Sequence, residues 1–117
     1  MNRFKELKVW QKAIEIVVDI YQLTSVFPQN EKYGLVSQIQ RSAVSIPSNI
    51  AEGAGRNNKN EFYQFLGIAN GSSFELETQL TISAKLGYAD NQETEKICIK
   101  LSEIQNMIFG LQKTLKN

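Results

Sequence analysis

Residues 41–56, RSAVSIPSNIAEGAGR, place a proline inside a run whose apolar residues recur at helical spacing. Pro47 has no amide hydrogen, and its ring crowds the carbonyl four residues back, that of Ala43, at about 3 kcal/mol or more when nothing compensates. A chain that keeps such a residue within a helix must offer its backbone other partners. Ser42, Ser45, Ser48 and Asn49 are short polar side chains able to bond the freed groups, so the segment reads as a kinked helix that repairs its own hydrogen bonds. Gly53 and Gly55 follow and end it. Pro47, Asn49 and Gly53 are therefore expected to have structural roles.

The remaining segments read as amphipathic helices. From about Lys8 to Phe27, Trp10, Ile14, Val17, Tyr21 and Thr24 form one stripe and Val9, Ala13, Ile16, Ile20, Leu23 and Phe27 a second beside it, with Pro28 as the stop. The second helix is expected to start near Asn30 or Glu31 and to turn Leu35, Ile39, Ala43, Ile46 and Ile50 inward. A polar turn, Arg56-Asn57-Asn58, follows, and Asn58 with Glu61 has the spacing of a capping box. The third helix runs from about Lys59 to Leu86, because Phe62, Leu66, Ala69, Ser73, Leu76, Leu80 and Ala84 stay in phase straight through Asn70-Gly71, whose flanks lack the alternation a hairpin needs. Gly67 and Gly71 leave a shallow groove on it, which Ala43, Ser48 and Ala51 are expected to approach. Gly87 suits a helix end and Asp90 with Glu93 the next start. In the fourth helix Ile97, Leu101, Ile104, Ile108, Leu111 and Leu115 hold a heptad register. No strand pattern competes. The pattern predicts an all-α, up-and-down four-helix bundle with a proline-kinked second helix, one domain over residues 1–117.

What the chain lacks narrows its chemistry. It has no histidine and one cysteine, Cys98, which excludes an internal disulfide, zinc sites of the Cys/His kind and Ser-His or Cys-His nucleophile pairs. No apolar run reaches the ~20 residues of a membrane span. Residues 1–12 have basic groups without an apolar block, so no secretory signal is expected and the cytoplasm is the default location. Glu75 and Glu77 are close in sequence but their side chains leave the helix about 200° apart, too far to serve one substrate as acid and base. Glu75 is instead expected in a structural ion pair with Arg41 or Arg56. Asn70-Gly71-Ser72 matches the glycosylation pattern by accident, and Cys98 borders the core. The expectation is a protein that is not an enzyme and holds no metal or cofactor.

Net charge is only +1, but residues 1–59 carry eight Lys/Arg against five Asp/Glu and residues 60–117 five against seven. Arg3, Lys5, Lys8 and Lys12, with Arg56 and Lys59 at the turn, are candidate phosphate contacts, and Lys5, Lys8 and Lys12 are spaced to share a helical face. The plainer reading is a solvated face. A ring of identical subunits would repeat each patch and make the contacts add. Wide apolar arcs on the first and third helices favour such self-association.

The stretches LKVWQKA, FPQNEKYGL, SQIQRSAVSIPSNIAEGAGR, FLGIANGSSFELETQL and LGY resemble the four-helix-bundle proteins encoded in intervening sequences of bacterial 23S rRNA genes, a family also labelled as a ribosomal protein. The resemblance spans about residues 4 to 115. It implies a homopentamer, and a distant likeness to the accessory protein of diversity-generating retroelements, which binds its reverse transcriptase and nucleic acid through a basic surface. The implied partner is RNA or a reverse-transcriptase-like protein, with no membrane, no small-molecule substrate and no catalytic residues. Many members have two arginines where this chain has Gln40 and Arg41. The alternative is a protein–protein adaptor without a nucleic-acid role.

Overall fold

Helical periodicity carries directly into the structure, a computed structural model that describes residues 3–116. Four helices form, α1 (Lys8–Thr24), α2 (Leu35–Gly55), α3 (Lys59–Lys85) and α4 (Asn91–Leu115), with short 3-10 turns at Phe4–Glu6 and Gln29–Glu31. Each helix packs against two neighbours: α1 against α2 and α4, α3 against α2 and α4, while neither diagonal pair meets. That is an up-and-down bundle, measuring 45 × 23 × 20 Å. Among the described residues no helix is long and apolar enough to cross a membrane.

The stripes meet along the axis. Ile16 and Ile20 of α1, Ile39, Ile46 and Ile50 of α2, Leu66, Leu76 and Leu80 of α3, and Leu101, Ile104 and Ile108 of α4 are fully buried, each contributing about 1.5–3 kcal/mol through removal from water. The other α1 stripe divides: Trp10 and Val17 are half-buried, whereas Ile14 and Tyr21 stay exposed beside Val18. At the far end of the α4 seam Leu111 and Leu115 are only half-buried.

Two helix boundaries differ from the sequence expectation. α1 stops at Thr24, whose hydroxyl donates to Ile20 O at 2.9 Å. Phe27 is buried beyond the helix, its ring 5.8 Å from that of Tyr88. α2 starts at Leu35 instead of near Glu31, because the backbone of Gly34, at φ −108° and ψ −105°, breaks the helical path. Glu31 nevertheless serves that helix: its Oε1 accepts from Leu35 N at 3.3 Å and its Oε2 from the Tyr88 hydroxyl at 3.0 Å.

α2 continues through Pro47, which is buried. Asn49 Nδ2 donates to Ser45 O at 2.8 Å and to Ser45 Oγ at 2.9 Å, and the Ser45 and Ser72 hydroxyls bond at 2.8 Å. Asn49 thus reaches a carbonyl two residues past that of Ala43, so its bond reinforces the α2–α3 seam and does not replace the one that Pro47 removes.

The glycines exchange roles. A Cβ on Gly53 would lie 2.6 Å from Phe65 Cβ and 3.0 Å from Phe62 Cδ1, so Gly53, still inside α2, is where the backbones of α2 and α3 come together. Gly67 and Gly71 are exposed. A Cβ on Gly71 would meet nothing within 4 Å and one on Gly67 only Gln112 Nε2 at 3.6 Å. The expected groove therefore faces outward, because α3 turns Ala69 and Ser73 inward, and no α2 residue fills it.

Candidate nucleic-acid interface

A two-part turn builds one end of the bundle. Arg56–Asn58 joins α2 to α3 with Asn57 in the left-handed region at φ 58°, a conformation that asparagine tolerates better than most residues. Asn58 Oδ1 accepts from Glu61 N at 2.9 Å, the N-cap of α3 expected from the sequence. Lys59 thereby starts the helix, exposed to solvent.

Arg56 is committed to the turn itself. It bonds Glu52 at 3.0 Å and Glu61 at 3.4 Å and lies 5.0 Å from the centre of the Phe65 ring. The hydrogen bond that its guanidinium donates to Glu52 holds Arg56 above its ordinary pKa, burial opposing. Arg56 therefore does not pair with Glu75, and neither does Arg41. Glu75 and Arg41, both exposed, line one polar cleft of about 360 Å³ between α2 and α3, and neither makes an ion pair with a described residue. Exposed pairs add little and order two long side chains, so nothing draws these together.

Arg3 pairs with Glu6 at 2.9 Å and Lys12 with Glu103 of α4 at 3.6 Å. The expected single face of Lys5, Lys8 and Lys12 is broken, because Lys5 sits in the N-terminal 3-10 turn and Leu7, in extended conformation, separates it from α1. Lys5, Lys8 and Lys59 form no ion pair with a described residue.

Sequence order hid two further cations. α4 runs antiparallel to α1 and returns Lys113 and Lys116 to this same end, also without ion pairs among the described residues. The segments meeting here, 3–12, 50–66 and 109–116, carry eight Lys/Arg against three Glu, a surplus of five in a chain whose total is +1.

Aromatic side chains lie between these cations. Arg3 and Lys59 border a cleft of about 520 Å³ that Phe4, Leu7, Phe62 and Leu115 line. On the outer side of the α3–α4 seam, Tyr63, Phe109, Gln112, Lys113 and Lys116 border another of about 370 Å³. Phe109 is 50% exposed. Gln112 Nε2 donates to Tyr63 O at 3.1 Å and fixes the seam between the two helices.

Elsewhere the side chains suit structure better than reaction. Glu77 Oε1 accepts from Gln105 Nε2 at 3.1 Å in the α3–α4 seam, on a different side of α3 from Glu75. Burial pushes the Cys98 thiol up, with Glu77 and Glu95 adding to it, which disfavours the nucleophilic thiolate. Among the described residues no cluster of His, Cys, Asp or Glu could hold a metal ion.

The sequence model for the 23S rRNA-intervening sequence protein family matches residues 5–110. The chain belongs to that family. A similar solved structure is the crystal structure of a protein of unknown function from the S23 ribosomal protein family of Bacteroides thetaiotaomicron, 27% identical, with 90% of this chain and 95% of that one covered at a TM-score of 0.83. No curated protein matches this family member. Neither description names an enzymatic activity.

Proposed function

We propose that this protein is a non-catalytic, homo-oligomeric helical bundle that binds RNA, alone or in an RNA–protein complex, through its basic end. The observation that carries the reading is the surplus of five positive charges where the chain ends and the α2–α3 turn converge. With Arg3, Lys12 and Arg56 engaged by carboxylates, the free contacts are Lys5, Lys8 and Lys59, with Lys113 and Lys116 added from α4. Five phosphate contacts to a single strand give a slope of about −3.5 in log affinity against log salt. Fluorescence polarisation with a labelled structured RNA at two salt concentrations tests this, and no binding at low salt removes it.

Self-association is supported by Ile14, Val18 and Tyr21, exposed at 37%, 51% and 48% and spaced to share one α1 face, and by exposed Ile68 and Ile82 on α3 with Leu86 just past its end. A closed pentameric ring would repeat the basic end and add its contacts. Light scattering at micromolar concentration reads the stoichiometry, and a monomer there contradicts it. The same apolar stripe supports a second reading, an adaptor for another protein. Recovery of one protein partner after nuclease treatment, with no RNA affinity, would favour that one.

A further inference from the structure

The outer cleft between α3 and α4 has a composition that phosphate attraction alone does not require. Phe109 and Lys113 stand four apart on one face of α4, an aromatic ring preceding a cation, and Lys116, in extended backbone just past the helix end, lines the same cleft. Lysines in a last turn complement the helix dipole, which accounts for Lys113 and Lys116 in a bland way. It does not account for Phe109, a large ring left half in water beside them. Tyr63 closes the other side, its backbone carbonyl held by Gln112 at 3.1 Å.

We propose that this cleft takes an unpaired nucleotide of a single-stranded RNA segment, the base against Phe109 and Tyr63 and the flanking phosphates on Lys113 and Lys116. The proposal rests on the RNA-binding reading above and names the form of RNA. Bases in a duplex are stacked on one another, and paired RNA is recognised mostly by shape and backbone; unpaired bases present a free face to an aromatic ring. A recess of about 370 Å³ has room for one base. The strand then has a course around the end of the bundle, since Phe62 and Leu115, each next in sequence to a residue of this cleft, line the inner one with Lys59 at its border.

The test is fluorescence polarisation of the full chain with a labelled 12-nucleotide RNA, single-stranded or annealed to its complement. Phe109→Leu keeps apolar volume and removes the ring. It is expected to weaken single-strand binding about tenfold and leave duplex binding unchanged. Lys113→Gln with Lys116→Gln should weaken both and flatten the salt dependence. Circular dichroism of each variant confirms folding, and a loss of stability without loss of affinity in the lysine variant assigns those residues to the helix end alone and overturns the proposal. Duplex bound as tightly as single strand, with no effect of Phe109→Leu, also overturns it while leaving the basic-end reading in place. No binding of either RNA at low salt removes both.

Discussion

The two ends of the bundle are made from the same four helices and finish differently. At the loop end, residues 18–41 and 80–100 carry five acidic and five basic side chains. The α1–α2 and α3–α4 connections lock together there: Phe27 packs on Tyr88, and the Tyr88 hydroxyl donates to Glu31 at 3.0 Å. Lys100 and Asp19 add a 2.6 Å pair between α4 and α1. At the opposite end the chain reverses only once, in the tight turn of Arg56–Asn58, and the last apolar positions of α4 are half-covered. A ten-residue and a five-residue connection supply the aromatic and polar side chains that lock the loop end, where a cleft of about 220 Å³ remains beside Asp19 and Lys96; clefts of about 520 and 370 Å³ lie at the end with the three-residue turn. Charge differs between the ends as well, balanced at the loop end and basic at the other.

The strongest way to break this contrast acts on the close approach beside the basic end. Gly53→Ala is expected to lower stability by about 1–3 kcal/mol, as overpacking does, because its Cβ meets Phe65 and Phe62. Gly71→Ala, which meets nothing, should be neutral or stabilise by up to about 1 kcal/mol, the helix propensity difference. Chemical denaturation measures both, and equal effects would mean that Gly53 is not a contact point. A medium effect compares the N-caps. Asn58→Ala at the basic end and Asp90→Ala at the loop end should each cost about 1 kcal/mol. Only the first should also weaken RNA binding, since only it disturbs Lys59, and a matching loss from Asp90→Ala would dissolve the division between ends.

The smallest effect lies at the loop end and shows in the pH dependence. The hydrogen bond to Glu31, with burial adding to it, raises the Tyr88 hydroxyl above its ordinary value of 10.0. A raised native pKa means the folded state holds the proton more tightly, so this contribution is present below about pH 10 and is lost as pH rises through the higher native value. Lys100, raised mainly by its hydrogen bond to Asp19, loses stability in the same direction above its ordinary 10.5. Thermal melts from pH 9 upward should therefore decline in wild type more than in Tyr88→Phe, which retains only the Lys100 part. Identical profiles would show that the Tyr88–Glu31 bond does not hold the loops together.

Most of the fold was legible because apolar periodicity reports burial directly: Ile97, Leu101, Ile104 and Ile108 point inward wherever a helix of that phase packs. The helix starts were less so. Nothing in the letter G at position 34 states that its backbone leaves the helical path, and Glu31 therefore looked like helix when it caps one from outside. Which glycine admits a neighbour depends on the rotation of each helix about its axis, so Gly67 and Gly71 were plausible and Gly53 was correct. Six of the eight cations of the basic end were named from the sequence: Arg3, Lys5, Lys8, Lys12, Arg56 and Lys59. Lys113 and Lys116 were missed because charge was summed along the chain, although the antiparallel topology already expected was enough to bring them back beside residue 8. The engagement of Arg56 by Glu52 and Glu61 was hidden by proximity in sequence, an i,i+4 neighbour being nearer than any partner across the bundle.

The turn at Arg56–Asn58 also bears on how the molecule forms. Three residues close it, so bringing α2 and α3 together sacrifices little chain freedom, and the contact at Gly53 lies immediately beside the closure. This hairpin is the cheapest tertiary unit for the unfolded chain to assemble, whereas docking α4 on α1 joins segments from opposite ends of the polypeptide. The basic end therefore joins the connection with the least chain freedom to lose to a contact between segments far apart in sequence, the one that carries the C-terminal lysines.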